Sequence, residues 1–377
     1  MHNEDSLSTA EKERYSRHLA LPDFDEHTQI KLKNARVLVT GCGGLAHPVL
    51  QYLVAAGTGI IGIADDDVVH ISNLQRQVLF SEKDIGKSKI DVVIERLQPM
   101  NRAVKFQTHN TRIISENALQ IIQQYDIVVD CADNFPTKYL LSDACVLLGK
   151  PCVFGAIYRY EGQVSLFNST KNINYRDVYP TPPPNGSILD CEEGGIIGVL
   201  AGLIGCMQAN ETIKWITGIG ECLDGKLLIY DAQSGLSDII QIRSRSDNPV
   251  SGEHPTLTGL TDYDAFCNAQ NKKRTSDMVK EISVQELKAL MDSDEDFQLI
   301  DVREPEEFEE VNMEGELIPM NTIPEHVQDI ARDKKVVIHC KGGTRSGNVI
   351  EYLQAQHGFS NLYNLKGGIM EWKKNYM

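Results

Sequence analysis

Val37-Leu38-Val39-Thr40-Gly41-Cys42-Gly43-Gly44-Leu45-Ala46 is a β-branched run that closes on a glycine cluster and opens into an apolar helical stretch. A strand, a tight glycine turn and a helix start, in that order, fit the GxGxx(G/A) fingerprint of nucleotide-binding α/β domains. There the backbone comes close to a phosphate, and the helix N-terminus offers unpaired amides with a partial positive charge. Gly41, Gly43 and Gly44 are therefore candidate phosphate contacts. The third fingerprint position is Ala46, which the pattern tolerates, and His47 beside it reads as a packing residue. Asp65 ends the next run, Ile60 to Ala64, where an acid accepts hydrogen bonds from a ribose. Alone, the motif indicates a nucleotide or dinucleotide, or only a glycine-rich turn.

Working outward, Ala103 to Phe106, Asp126 to Val129 and Val153 to Ala156 are further short β-type runs. Between them Ile90, Val93, Ile94 and Leu97 recur at helical spacing. The alternation predicts a doubly wound, mostly parallel α/β sheet of Rossmann type. A buried helix from about Ile196 to Ile216 follows, stopped by Gly218, then strands over Leu227 to Tyr230 and Ile239 to Ile242. From Ser246 to Asp277 the periodicity fades and prolines and glycines accumulate, as in a connector. Beyond it, helix, strand, strand and helix are expected over Val284 to Met291, Phe297 to Val302, Val336 to Ile338 and Gly347 to Gln356. The division is thus a nucleotide-binding domain over residues 1–246, a linker over 247–277 and a smaller α/β domain over 278–377.

The 377 residues suffice for two or three domains at roughly 150 residues each. A 41% hydrophobic and 24% charged composition excludes disorder and collagen-like repeats. The net charge, 37 − 53 = −16, repels nucleic acid and anionic membranes, so neither is an expected partner. Nine scattered cysteines without a CxxC pair, and a polar start at Met1 to Ala10, point to the cytoplasm. The longest apolar run, Gly194 to Met207, is shorter than the roughly 20 residues that span a bilayer.

More cations gather near the glycine turn than a simple dinucleotide site needs. Ser72, Asn73, Leu74, Gln75, Arg76 and Gln77 follow the second strand, Lys89 starts a helix, and Asp133 and Asn134 sit at the carboxyl end of the fourth strand. Two cations and an acid at one sheet edge suit an ATP triphosphate, with Arg76 and Lys89 meeting its charge and Asp133 holding magnesium.

With Arg14 to Arg17, Ile85 to Lys89, Glu161 to Gln163 and Gly194 to Gln208, these stretches make the segment from Arg14 to about Arg245 resemble the ubiquitin-activating-type adenylyltransferases of sulfur-carrier proteins. That family contains the molybdopterin-synthase adenylyltransferase and its thiamine-pathway relative. The resemblance implies attack by the C-terminal glycine carboxylate of a small β-grasp carrier ending in Gly-Gly on the α-phosphate of ATP. It implies ATP binding by Gly44, Asp65, Ser72 to Arg76, Lys89, Asp133 and Asn134. It also implies a homodimer in which Arg17 reaches the partner subunit's phosphates.

One departure and one match stand out. Family members commonly hold a structural zinc with two CxxC pairs; the matching positions here are Asn174 to Asp177 and Asn248 to Ser251, so no zinc is expected. Cys191 matches a cysteine that takes part in carrier transfer in fused relatives, as a thioester or mixed-disulfide centre.

In the second domain Val336-Val337-Ile338-His339 delivers Cys340 into Lys341-Gly342-Gly343-Thr344-Arg345-Ser346. A cysteine at a strand end, inside a loop of glycine amides closed by Arg345, is an anion cradle with a nucleophile at its base. Four residues separate Cys340 from Arg345, one fewer than in cysteine phosphatases, and the tighter ring suits a persulfide. With Leu299 to Pro305 and Asn364 to Gly368 beside it, the segment from about Val279 to Met377 resembles a rhodanese sulfurtransferase. Cys340 then carries sulfur from a persulfide or thiosulfate donor to the activated carrier, giving a thiocarboxylate for molybdenum cofactor, thiamine or transfer-RNA thiolation. The alternatives are an NAD-dependent oxidoreductase with an accessory rhodanese domain, and a catalytically silent scaffold.

Overall fold

The computed structural model describes residues 6–183, 195–267, 279–293 and 295–376. They divide into two compact units, the first ending at Phe266.

The first unit is built on one sheet of eight strands: β1 (Arg36–Thr40), β2 (Ile60–Ala64), β3 (Lys105–His109), β4 (Ile127–Asp130), β5 (Cys152–Tyr158), β6 (Glu161–Phe167), β7 (Lys226–Asp231) and β8 (Ser237–Gln241). Their order is β3-β2-β1-β4-β5-β6-β7-β8. The five strands β1 to β5 are parallel, and β6, β7 and β8 continue the sheet antiparallel. Successive connections leave β1 in opposite directions, toward β2 on one side and β4 on the other. In such sheets the crevice beyond the carboxyl ends of the two strands is where ligands bind.

Continuous apolar runs suit strands covered on both faces, and Val37, Leu38, Val39, Ile127, Val128 and Val129 are fully buried. The helix Ala46–Ala56 covers β1 and ends on Gly57, whose φ of +85° makes the left-handed cap. The apolar run read as a helix forms Gly198–Thr217, capped by Gly218, and buries Leu200, Ala201, Ile204 and Gln208. β3 begins two residues later than the sequence pattern suggested. Asn101 takes the Ala103 amide on its side chain and the Val104 amide on its carbonyl, holding a turn there.

Residues 247–266 carry no regular periodicity, yet they pack within the first unit. Asp143 takes a two-pronged pair from Arg176 at 2.8 Å and a hydrogen bond from the Tyr263 hydroxyl at 2.6 Å. The Arg176 guanidinium also lies over the Phe266 ring.

In the second unit β9 (Lys280–Ile282), β10 (Phe297–Asp301), β11 (Glu316–Leu317), β12 (Lys335–His339) and β13 (Leu362–Leu365) form a parallel sheet in the order β11-β10-β12-β13-β9. Apolar clusters cover it on both faces, around Ile300, Ile338 and Leu353 and around Leu287, Val337 and Trp372. Among the described residues no helix is long and apolar enough to cross a membrane.

Candidate functional site

At the carboxyl ends of β1, β2 and β4 lies a cavity of about 370 Å³ whose lining includes Gly41, Gly43, Asp65, Lys89, Asp133 and Asn134. Gly41 adopts φ +89°, and a Cβ there would come within 3.2 Å of the Cys131 carbonyl, so the turn suits glycine alone. Asp65 shapes this turn: its carboxylate accepts the Cys42 amide at 2.6 Å and the Asp67 amide at 2.8 Å. Burial nevertheless pushes its pKa up. The buried Lys89 ammonium meets Asp67 at 2.8 Å. Asn134 caps the helix Phe135–Leu148 by accepting the Thr137 amide at 3.0 Å, which fixes Asp133 just before a helix N-terminus.

Other expected residues stand elsewhere. Gly44 packs against the helix Gly198–Thr217, a Cβ there falling 2.9 Å from Ala201, and Ser72, Asn73, Leu74, Gln75 and Arg76 form the adjoining turn. Arg76 donates to the Ser72 carbonyl at 3.0 Å and is not part of the cavity lining. Arg17 is exposed on the short helix Ser16–Leu19, also outside that lining. Cys191 lies outside the described residues. His47 is fully buried: its Nδ1 accepts the Leu79 amide at 2.9 Å, and burial drives its pKa down to about 3, consistent with a packing role.

Gln77, the last residue of the Ser72 to Gln77 stretch, lines the cavity, as do Arg112, Ile113 and Thr137, which sequence reasoning missed. It missed Lys138 as well, buried below the site between Asp130 at 3.1 Å and the Gly155 carbonyl at 2.7 Å. Thr137 lies three residues after Asn134 and caps onto it, the one signal the sequence held for it; Arg112 and Ile113 arrive from after β3 and carry no motif.

The four positions that would supply zinc thiolates do converge, but as a polar cluster. Asn174 Nδ2 donates to Ser251 Oγ at 2.7 Å, and Asn248 Nδ2 donates to Asn174 Oδ1 at 3.1 Å and Asp177 Oδ1 at 3.0 Å. Asp177 further accepts the amides of Asn174 and Arg245, each at 2.9 Å. One carboxylate among neutral groups that satisfy one another does not suit a tetrahedral zinc site, which calls for thiolate or imidazole ligands.

In the second unit β12 delivers Cys340, 1% exposed, into the expected loop. The Gly343 amide donates to Sγ at 3.2 Å, and Ser346 Oγ lies 3.4 Å from it. The helix Thr344–His357 starts inside the motif, so Arg345 and Ser346 occupy its first turn. Arg345 reaches sideways and grips Glu307 with two hydrogen bonds, at 2.7 and 2.8 Å. Gly368 explains the second glycine motif: the Ile369 and Met370 amides donate to the Cys340 and Lys341 carbonyls. A Cβ on Gly368 would strike the Cys340 carbonyl at 2.4 Å. Asp301 and Arg303 serve as a staple, the guanidinium gripping the carboxylate and donating to the Glu307 and Val311 carbonyls.

A nucleotide-type cavity in one unit and a cradled cysteine in the other define a two-domain transferase, and comparison with known proteins agrees. Residues 15–251 match the ThiF family and residues 283–375 the rhodanese-like domain. The chain belongs to the ThiF family and carries a rhodanese-like domain. It is 42% identical to the probable adenylyltransferase/sulfurtransferase MoeZ of Mycobacterium tuberculosis, over 98% of this chain and 94% of that protein. It is 38% identical to the adenylyltransferase and sulfurtransferase MOCS3 of Xenopus laevis, over 99% and 88%. The sulfur carrier protein adenylyltransferase of Thermus thermophilus is 47% identical over 68% of this chain and 97% of its own length. In fold, Escherichia coli MccB superposes with a TM-score of 0.59 at 24% identity, over 69% of this chain and 77% of that one. The protein is an adenylyltransferase and sulfurtransferase, and its family membership implies use of ATP. The oxidoreductase and silent-scaffold alternatives give way to that assignment.

Proposed function

We propose that the first unit binds ATP with magnesium and adenylates the C-terminal glycine of a small β-grasp sulfur carrier, and that a persulfide on Cys340 then supplies the sulfur of a thiocarboxylate. The observation that carries the reading is the meeting of Lys89, Asp133 and Asn134 with an open glycine turn at the ends of β1, β2 and β4. Adenylation brings a carboxylate to a polyanion: a carrier oxygen bonds to the α-phosphorus, and pyrophosphate leaves with the electron pair of the broken P–O bond. Cations that offset this charge lower the barrier, and losing one well-placed charge partner costs about 3 kcal/mol. Lys89 fills that role from within the cavity, and Arg76, on the adjoining turn, is the second cation of this reading. Asp133 is the carboxylate suited to magnesium, which would neutralise phosphate charge when bound.

The same reading includes a homodimer in which Arg17 serves the partner subunit's site. Exposed Ile71, Val78, Ile197, Val199 and Leu203 support it as apolar surface that a second copy would cover. Cys191 remains the candidate for a covalent carrier intermediate. A cytoplasmic setting suits the unbridged, buried Cys42, Cys131, Cys145 and Cys152. Zinc has no part in this scheme, since Asn174, Asp177, Asn248 and Ser251 form their own hydrogen-bonded cluster.

The test is carrier-dependent exchange of labelled pyrophosphate into ATP. Arg76→Ala and Asp133→Ala each lower it by about 100-fold or more with circular dichroism unchanged. Near-normal exchange in both variants contradicts the adenylation site.

A further inference from the structure

Behind Cys340 lies a buried hydrogen-bonded group that the sulfur-carrying role alone does not explain. Ser346 is fully buried and Asn364 is 8% exposed. Ser346 Oγ has three acceptors within reach: Asn364 Oδ1 at 2.7 Å, the Gly343 carbonyl at 3.1 Å and Cys340 Sγ at 3.4 Å. Asn364 Nδ2 donates to the Gly343 carbonyl at 3.0 Å, which orients the amide so that its oxygen faces Ser346. A hydroxyl has one proton, so at any moment it serves one of these acceptors. Asn364, at the shortest distance, is its resting partner. Turning the proton onto Sγ needs only rotation about the Cβ–Oγ bond.

We propose that Ser346 is a catalytic hydrogen-bond donor whose proton follows the charge on Cys340 Sγ, and that Asn364 is the positioning residue that holds it ready. During unloading, the electron pair of a nucleophile forms a bond to the outer sulfur. The Sγ–S bond breaks, and its electron pair stays on Sγ. Negative charge thus appears on Sγ at the moment of transfer, and hydrogen bonds to charged groups are the strong ones. Gly343 supplies a fixed donor and Ser346 a movable one. During loading from thiosulfate the sequence runs in the other sense: the Sγ thiolate attacks the outer sulfur, sulfite leaves, and the Ser346 proton returns to Asn364. No proton is gained or lost in either half.

The test uses the full chain in thiosulfate-to-cyanide sulfur transfer, together with the pH profile of Cys340 alkylation by iodoacetamide. Ser346→Ala lowers kcat roughly 10- to 100-fold, the worth of a hydrogen bond to a charged group. Its KM for thiosulfate stays within about threefold, and the midpoint of alkylation moves up by about one pH unit. Ser346→Thr, which keeps the hydroxyl, restores most of kcat. Asn364→Ala removes the acceptor that competes for the Ser346 proton and shifts the alkylation midpoint down; in the double variant that downward shift disappears, because no hydroxyl is left to release. An unchanged kcat and alkylation profile in Ser346→Ala, or simple additivity with Asn364→Ala, overturns the proposal. Cys340→Ser is run alongside. Loss of transfer there with no effect of Ser346→Ala condemns only the hydroxyl's role, whereas survival of transfer in Cys340→Ser removes the persulfide reading itself.

Discussion

The Lys89 ammonium, nearly buried in the nucleotide cavity, is held 2.8 Å from the largely exposed carboxylate of Asp67. A buried lysine left without a counter-charge is costly, and Asp67 supplies one from the solvent side. A triphosphate entering the cavity offers stronger negative charge to the same ammonium. Asp67 therefore competes with the ligand for Lys89.

Opposite outcomes follow for the two partners. Lys89→Ala removes the cation and lowers carrier-dependent pyrophosphate exchange by about 100-fold or more. Asp67→Asn leaves exchange intact and lowers the KM for ATP severalfold, because Lys89 is no longer engaged. A higher KM in Asp67→Asn shows instead that the pair orients Lys89 for the nucleotide.

A second expectation concerns zinc. Protein prepared without chelators contains well below one zinc per chain, and EDTA leaves its melting temperature unchanged. Asn248→Ala deprives Asn174 and Asp177 of a donor and the Val250 amide of its acceptor. Leaving buried polar groups unpaired costs about 1–3 kcal/mol, read as a lower denaturation midpoint. Stoichiometric, tightly held zinc by elemental analysis contradicts this account.

The Arg345–Glu307 pair contributes to the acid stability of the second unit. Arg345's hydrogen bonds hold the Glu307 carboxyl down at about 2, against an ordinary 4.5. The folded state thus binds this proton less readily than the unfolded chain. The stabilisation is complete above about pH 4.5 and is lost as pH falls toward 2. Glu307→Gln removes this dependence, so its unfolding midpoint, followed by denaturant titration, falls less than the parent's between pH 5 and 3 as rough bounds. Equal losses in both proteins show that the pair does not set the acid limb.

Much of this architecture is legible in the chain because its signals are local. Strands β1, β2, β4, β5, β10 and β12 are short, largely apolar runs, whereas β9, β11 and β13 are too short or too polar to read; the nucleotide turn is a glycine cluster between a strand and a helix, and the sulfur loop is a cysteine at a strand end followed by glycines and arginine. β6 is harder to read: Gly162, Gln163 and Ser165 interrupt its apolar pattern, and its place is set by pairing with β5 and β7. The segment after Arg245 looks like a connector because its anchors, Asn248, Ser251 and Tyr263, act through hydrogen bonds that leave no periodicity. The helix after Cys340 begins earlier than apolar spacing suggests, since Arg345 and Ser346 use its first turn for the site. Arg112 and Ile113 join the nucleotide cavity only through sheet topology.

The central claim is a division of labour, in which one unit activates a carrier and Cys340 of the other supplies its sulfur. It is tested most directly by incubating the full chain with ATP, magnesium, a carrier ending in Gly-Gly and thiosulfate, then following pyrophosphate release and the mass of the carrier. The parent protein releases pyrophosphate and yields carrier with sulfur in place of one C-terminal oxygen. Cys340→Ser keeps carrier-dependent pyrophosphate exchange and yields no thiocarboxylate, because a hydroxyl cannot carry the outer sulfur. Full thiocarboxylate yield from Cys340→Ser at low free sulfide contradicts the account.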